Sequence, residues 1–521
     1  MTAEVTFRLN GETVVVLSEG SLLDALRDRL GETSVKDGCA PQGQCGACTV
    51  LINGEPRVSC VTAVARVAQA DVVTSEGLEP EHRDRWIGAF ETTGAAQCGF
   101  CTPGILCRLV GTETRRGLDT TTVERALAAH LCRCTGWQPI VEAAEILRNE
   151  SPLAPRDPNA AALRAAIEQG VPQAAGPDVV LGRAPFSDDT APLDAQLWWT
   201  NGVGEYVAAP TRAAARQITG AVQGRNSTVA LRPVLEVPSG EWVLTLQTSF
   251  VEPAYAEPDV SWCEPHGDAS SPAANAGAFG AKRNSAIRRD AVALAASTGE
   301  PVKVVWSREA VVRKGKKRPP IALGLREDGS GELHVAVTPD SDDLTELVDV
   351  VRRVVPDVVV SVHEVAGPPV GSTHRGAVLS ELLAARATLK SQAGEPVSVT
   401  SPNGAVATVT FRDGTLHATI SAGEALCDVT LRSYVMGAMH QAYSMVCSEG
   451  IALNDVGEPV DLTVRSFGVV GAAATPPMSV EILPSAESPV ASGGAVFAAT
   501  LAAVWLVEGG TVWPTRRKER S

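Results

Sequence analysis

The chain has 521 residues, of which 44% are hydrophobic and 20% charged, and carries a formal net charge of −15. That length holds roughly three or four domains with sizeable cores, the hydrophobic share makes it globular rather than disordered, and the acidic balance argues against nucleic acid as a partner. No apolar run approaches the roughly 18 residues of a membrane span and no charged-then-apolar leader opens the chain, so no membrane partner and a cytoplasmic location are expected. Aromatic residues are only 4%, which points to packing by small side chains. Nine of the twelve cysteines fall before residue 135, and in a reducing compartment such cysteines are ligands before they are disulfides.

Residues 1–80 read as a small β-rich domain. Val5 to Asn10 alternates at period two, Asn10-Gly11 is a hairpin turn, and Thr13 to Leu17 supplies the second strand. Ser21 caps a helix with Asp24 three residues on, Leu22, Leu23, Leu26 and Leu30 form its apolar stripe, and Gly31 ends it. Two strands and a helix suit a β-grasp fold. Then come Cys39, Cys45, Cys48 and Cys60, spaced C-x5-C-x2-C-x11-C. Plant-type ferredoxins hold a 2Fe–2S cluster with C-x4-C-x2-C and a distant fourth cysteine, so one extra residue near Pro41 lengthens the loop. Gly38, Gly43 and Gly46 let the loop backbone aim N–H groups at the sulfurs, which stabilises a reduced cluster. The alternative is a zinc ribbon.

Residues 81–152 read as a helical domain. Arg83 to Thr93, a helix capped by Thr102, Thr122 to Leu131, and a helix starting at Pro139 make four short helices. Cys98 and Cys101 open the stretch Gln97 to Trp137, and Cys132 and Cys134 close it. Four thiolates gathered at helix ends make a closed soft site for zinc or an iron–sulfur cluster. Cys107, inside a helix, reads as a small buried apolar residue.

Gly43-Gln44-Cys45-Gly46-Ala47-Cys48-Thr49-Val50, Gln97-Cys98-Gly99-Phe100-Cys101-Thr102-Pro103-Gly104 and Leu131-Cys132-Arg133-Cys134-Thr135-Gly136 together resemble the iron–sulfur subunit or domain of the xanthine dehydrogenase and aldehyde oxidase family of molybdenum hydroxylases. The resemblance implies two 2Fe–2S clusters, ligated by Cys39, Cys45, Cys48 and Cys60 and by Cys98, Cys101, Cys132 and Cys134. It further implies that the second cluster lies nearest a molybdopterin, that Gln97 hydrogen-bonds this pterin, and that the first cluster passes electrons to a flavin.

Residues 153–195 are rich in proline, alanine and aspartate with little periodicity, and are expected to be a linker. Residues 196–521 are similar to the family's molybdenum-binding subunit, shortened to about half. A strand is expected over Thr245 to Ala256. The loop Asn275 to Lys282 precedes a helix over Ser285 to Ser297 and a strand ending at Trp306. By resemblance Gly277, Phe279 and Gly280 of that loop approach the cofactor closely, although Ala276 replaces the family's first glycine. Ser433 to Ala442, containing Gln441, resembles a later cofactor-binding helix, where Met436, Met439 and His440 read equally as packing or as cofactor contacts. Where the family carries its general-base glutamate, this chain has Gly494, so the catalytic residue is unknown. Glu487, seven residues away, is not assigned the role.

The fold expected is therefore α+β multidomain: a β-grasp ferredoxin domain, a four-helix cluster domain, and a truncated mixed α/β molybdopterin-binding-like domain. The leading function is an oxidoreductase component that carries electrons from a molybdopterin centre, in this chain or a partner, through two 2Fe–2S clusters to a flavin. Without a G-x-G-x-x-G between strand and helix, FAD belongs to a partner subunit, and a full-length molybdenum subunit is a second expected partner. One alternative is a self-contained hydroxylase half acting on a heterocycle or aldehyde; the other is a zinc-stapled scaffold without redox function.

Overall fold

In the computed structural model, residues 4–39, 41–220 and 229–516 are described. Strands β1 (Glu4–Leu9) and β2 (Glu12–Leu17) form the expected two-residue hairpin, with Leu9 opposite Glu12. Asn10 and Gly11 both take positive φ, as the turn matching strand twist requires. The Ser21 cap is present with Asp24 as its reciprocal partner. Beyond it the helix departs from expectation: only Leu22–Asp24 is α-helical, and the chain widens through Ala25–Arg29, where Leu30 N–H reaches back five residues to Ala25. β3 (Thr49–Ile52), β4 (Glu55–Val58) and β5 (Asp71–Val73) complete a sheet of order β2-β1-β5-β3-β4, with β5 parallel to β1. This mixed sheet is the β-grasp arrangement.

Four helices follow: α1 (Pro80–Thr93), α2 (Thr102–Arg116), α3 (Thr120–Ala126) and α4 (Gln138–Arg148). Thr102 is the first helical residue rather than the cap, which is Cys101. The third helix is shorter than expected. It tightens after Ala126 and releases His130 into an extended conformation, freeing Leu131 and Cys132 to turn back toward the first domain.

The proline-rich stretch expected to be a linker contains α5 (Pro158–Gln169), capped by Asp157. Arg164 and Glu168, one turn apart on it, form an ion pair buried under the C-terminal half. Lys36 of the first domain reaches the carboxylate of Asp189 and the carbonyl of Gly182, so the segment is packed rather than loose.

Among the described residues the C-terminal half holds three sheets. β6 (Gln196–Thr200), β7 (Val207–Ala209), β9 (Val260–Cys263) and β10 (Val302–Trp306) form one, with α6 (Arg212–Thr219), α7 (Ile287–Thr298) and α8 (Arg308–Lys314) beside it. The strand expected over Thr245 to Ala256 is only β8 (Leu244–Thr248); Pro253, which lacks an N–H, falls in the irregular remainder. β8 joins β11 (Ile321–Leu325), β12 (Gly331–Val337), β13 (Val358–Glu364) and a two-residue strand at Val512–Trp513. Two long buried helices, Asp428–Cys447 and Gly493–Glu508, pack on each other and on the third sheet. One continuous apolar core includes Trp86 and Trp137 of the helical domain together with Phe279, Tyr434 and Trp505. The two halves therefore share an interior.

Candidate metal centres

The first four cysteines leave and rejoin the β-grasp sheet at one edge. Cys39, Cys45 and Cys48 lie on the loop before β3, Cys60 on a single turn after β4, and all four are buried. Cys45 and Cys60 both hydrogen-bond Cys39, and Cys60 also reaches Cys48. Backbone N–H groups of Gln44 and Cys45 donate to Cys39 Sγ at 3.4 and 3.3 Å. The thiol bonds first, and these backbone donors after them, hold Cys39 well below the ordinary thiol range, while bonding to Cys39 and burial push Cys45 up. A thiolate ringed by donors in a dry interior matches the S4 donor set of a 2Fe–2S cluster, and the aimed backbone N–H groups are those that tune one.

The second four meet where α2 begins and the chain enters α4. Cys134 Sγ lies 3.5 Å from Cys98 Sγ, and Cys132 Sγ lies 3.2 Å from Thr135 Oγ1. A hydrogen bond from Cys101, outweighing burial and aided by Thr135, pulls Cys132 down to about 6. The two quartets are also bonded to each other. Leu131 N–H donates to the carbonyl of Cys45 at 2.9 Å, so the bond runs from the residue next to Cys132 to a cysteine of the first quartet. His130 packs beside it against Gly46 and stays neutral, because burial pushes its imidazole down to about 3.

The second loop is held from several sides, by Asn275, Ser433, Gln441 and Glu449 of the C-terminal half and by Gln97 of the helical domain itself. Asn275 Nδ2 donates to Cys98 O at 2.6 Å, Gln441 Nε2 to Arg133 O at 2.8 Å, and Gln97 Nε2 to Cys134 O at 3.0 Å and Ser433 Oγ at 2.9 Å. Arg133, between the two cysteines of the C-x-C, forms a buried two-pronged pair with Glu449 at 2.5 and 2.6 Å. Two glycines permit the approach. A Cβ on Gly277 would stand 2.1 Å from Cys134 Sγ, and one on Gly437 would stand 1.7 Å from the Cys134 carbonyl oxygen.

The residues expected to meet a pterin thus have other partners. Gly277 approaches a cysteine sulfur, and the amide N–H groups of Gln97 and Gln441 are taken by the second loop. Phe279 N–H donates to Gln169 Oε1 at 3.2 Å, and the Phe279 ring is covered by the Arg375 guanidinium 3.8 Å from its centre. Gly280 lies against the carbonyl of Thr373. Met436, Met439 and His440 are buried packing residues of their helix. The cleft left between Phe279, Arg375 and Gln441 measures about 40 Å³. Small-molecule sites hold roughly 300–1,000 Å³, so with Arg375 over Phe279 the cleft is filled by the chain's own side chains, and Gln97 Oε1, Arg375 Nη2 and Tyr434 Oη are buried there without hydrogen-bond partners among the described residues. Two carboxylates line the cleft among the described residues: Glu449 is bound to Arg133, and Glu252 is ion-paired with Lys317 at 2.9 Å, while Glu381 lies behind Arg318, bound to it at 2.5 and 2.7 Å. Gly494 lies in the first turn of its helix near Ser401, and the carboxylate nearest that turn, Glu168, accepts from Ser492 N–H while paired with Arg164. Glu487 is exposed on a loop.

Sequence reading did not single out Asn275 as a donor, Arg375, or the Arg133–Glu449 pair. The pair had a signal: a charged residue inside a C-x-C must find a counter-charge wherever the loop is buried. Arg375 and Asn275 had none, since their partners lie on other elements.

Comparison with known proteins agrees with this geometry. The 2Fe-2S iron-sulfur cluster binding domain matches residues 7–74 and the [2Fe-2S] binding domain matches residues 74–145. The nicotinate dehydrogenase small FeS subunit of Eubacterium barkeri is 36% identical over 137 residues, covering 26% of this chain and 87% of that subunit. The xanthine dehydrogenase iron-sulfur-binding subunit of Escherichia coli O157:H7 is 39% identical over 126 residues, covering 23% of this chain and 79% of that one. In fold, the aldehyde oxidoreductase of Desulfovibrio gigas superposes with a TM-score of 0.69 at 14% identity, covering 99% of each chain. Among the described residues no helix is long and apolar enough to cross a membrane. With two 2Fe–2S domains in series and subunit-length matches to iron–sulfur proteins, the chain belongs to the xanthine dehydrogenase and aldehyde oxidase family of molybdenum hydroxylases, as an iron–sulfur electron-transfer oxidoreductase component.

Proposed function

We propose that this chain conducts electrons between a molybdenum subunit and a flavin subunit, with its own C-terminal half serving as a rigid clamp on the second cluster rather than as a catalyst. Cys39, Cys45, Cys48 and Cys60 would hold one 2Fe–2S cluster, and Cys98, Cys101, Cys132 and Cys134 the other. Each cluster, when bound, takes up and releases single electrons. The chain's residues keep both sites dry, aim backbone N–H groups at Cys39, and join the two loops through the Leu131 to Cys45 hydrogen bond. The carrying observation is that bond together with the burial of all eight thiols. The 40 Å³ cleft and the glycine at position 494 count against a self-contained hydroxylase half, so molybdopterin and its base are assigned to a full-length partner, and FAD to another. Cytoplasmic residence belongs to the same proposal.

The test is metal analysis of the purified chain. Two clusters require iron and sulfide near four each, with no stoichiometric zinc, molybdenum or pterin. Cys134→Ser should remove the second reduced paramagnetic signal, keep the first, and stop turnover when the complex is assembled. Molybdenum and pterin retained tightly by the isolated chain would overturn the clamp reading.

A further inference from the structure

A second concavity, sharing no residue with the Phe279–Gln441 cleft, opens on the far side of the glycine loop with a volume of about 830 Å³. Six cations line it: Arg283, Arg288 and Arg289 around the start of α7, and Arg313, Lys314 and Lys316 at the end of α8 and just beyond. Three acids, Asp268, Asp340 and Asp342, share the wall. On a chain of net charge −15 a local excess of positive charge marks this wall as a place where a small anion meets an attractive field.

The partners of these cations sharpen the point. Arg283 donates to the carbonyl of Gln169 at 3.0 Å, Arg288 to that of Ala269 at 3.3 Å, and Arg313 to that of Asn201 at 2.6 Å. Lys314 Nζ lies over the rings of Tyr206 and Trp306 at 4.9 and 5.3 Å. Among the described residues none of these four is within ion-pair reach of a carboxylate. Carbonyls and rings orient the cations without neutralising them, and each guanidinium keeps donors to spare. Asp342 is already engaged by Lys316 at 3.3 Å, Asn284 at 3.2 Å and Ser372 N–H at 3.1 Å, and among the described residues Arg289 pairs with its neighbour Asp290 at 3.8 Å. The α7 helix begins at this wall with Ala286 as its cap, which supplies no side-chain acceptor, so its first N–H groups add to the field.

We propose that this groove binds a small molecule bearing adjacent phosphates. Its volume falls in the range of small-ligand sites, and its cations converge from two elements around a hollow, as suits a compact multiply charged anion.

Calorimetry on the full-length holoprotein tests this with inorganic pyrophosphate and with ADP at low ionic strength. One site per chain is expected, with affinity falling as salt rises and at least tenfold weaker in Arg288→Glu and in Lys314→Glu. Equal affinity for the two probes assigns free polyphosphate, and tighter ADP assigns a nucleotide; either supports the site. Retained iron content and melting temperature in the variants show that the fold is intact. Absence of binding at millimolar pyrophosphate, binding unchanged by both charge reversals, or binding of poly-aspartate alone would each overturn the proposal.

Discussion

Replacing Gly437 by alanine tests the clamp most directly. The new Cβ would stand 1.7 Å from the carbonyl oxygen of Cys134, and the obstacle is backbone, which cannot rotate aside. Ordinary contact needs about 3.5 Å, so the 428–447 helix and the C-x-C loop must separate by about 1.8 Å. That displacement removes two hydrogen bonds the helix makes with the helical domain, Gln441 to Arg133 O and Gln97 to Ser433, at about 1 kcal/mol each net. Overpacking adds roughly 1–3 kcal/mol. The expected loss is about 3–5 kcal/mol, concentrated at one loop, in a protein whose whole stability is on the order of 5–15 kcal/mol. Iron should fall from near four toward two per chain, with the second cluster's paramagnetic signal lost or broadened and the first unchanged. Gly471→Ala is the control, because a Cβ there meets nothing within 4 Å. Full iron content and an unaltered second signal in Gly437→Ala would refute the clamp.

Three other outcomes follow from the same contacts. Removing one partner of the buried Arg133–Glu449 pair, as in Glu449→Ala, should cost about 3–5 kcal/mol, and the double change Arg133→Met with Glu449→Leu should recover much of it in thermal melts. Burial pushes the His440 imidazole down to about 4, so between pH 6.5 and 4 the unfolded chain binds the extra proton and stability falls as pH drops; at pH 5 this amounts to about 2 kcal/mol. His440→Gln should flatten that part of the stability profile, and an unchanged slope would show that the ring is not held neutral. Gly494→Glu restores a carboxylate but not a chamber, so neither molybdenum uptake nor aldehyde oxidation should appear; a gain in either would mean the cleft opens.

What the sequence disclosed depends on how local each signal is. The eight cysteines stand in short, rule-bound spacings, and the Asn10-Gly11 turn and Ser21 cap are contiguous signals, so the front of the chain was readable. The helix after Ser21 runs the length its leucine stripe implies, but widens to five-residue turns from Ala25, because Leu22, Leu23 and Leu26, fully buried, are equally served by the wider turn. α5 was missed although Asp157, Pro158 and Gly170 mark both its ends, because its interior is largely alanine and gives no periodic contrast. Gln97 and Gly277 were assigned by resemblance to a pterin and its metal; the folded chain sets Gln97 Nε2 on Cys134 O and Gly277 beside Cys134 Sγ. Which partner they meet is a matter of tertiary arrangement: only the folded chain brings residue 277 against residue 134.

The closed cleft and the clamp have one physical origin. Gly277 and Gly437 lie on separate elements, yet each lacks a side chain at the one place where a Cβ would strike Cys134, on its sulfur in one case and its carbonyl in the other. Around the same loop, Asn275, Gln97, Gln441 and Glu449 direct their polar atoms at Cys98, Arg133 and Cys134. Each such bond satisfies a buried polar atom that would cost roughly 1–3 kcal/mol if left unpaired, although among the described residues Gln97 Oε1, Arg375 Nη2 and Tyr434 Oη beside the loop are buried without a hydrogen-bond partner; Arg375 lies over Phe279 in the space between. Packing that fixes a C-x-C this firmly leaves little room for ligand motion between oxidation states, which is the property a one-electron relay needs and a substrate chamber does not.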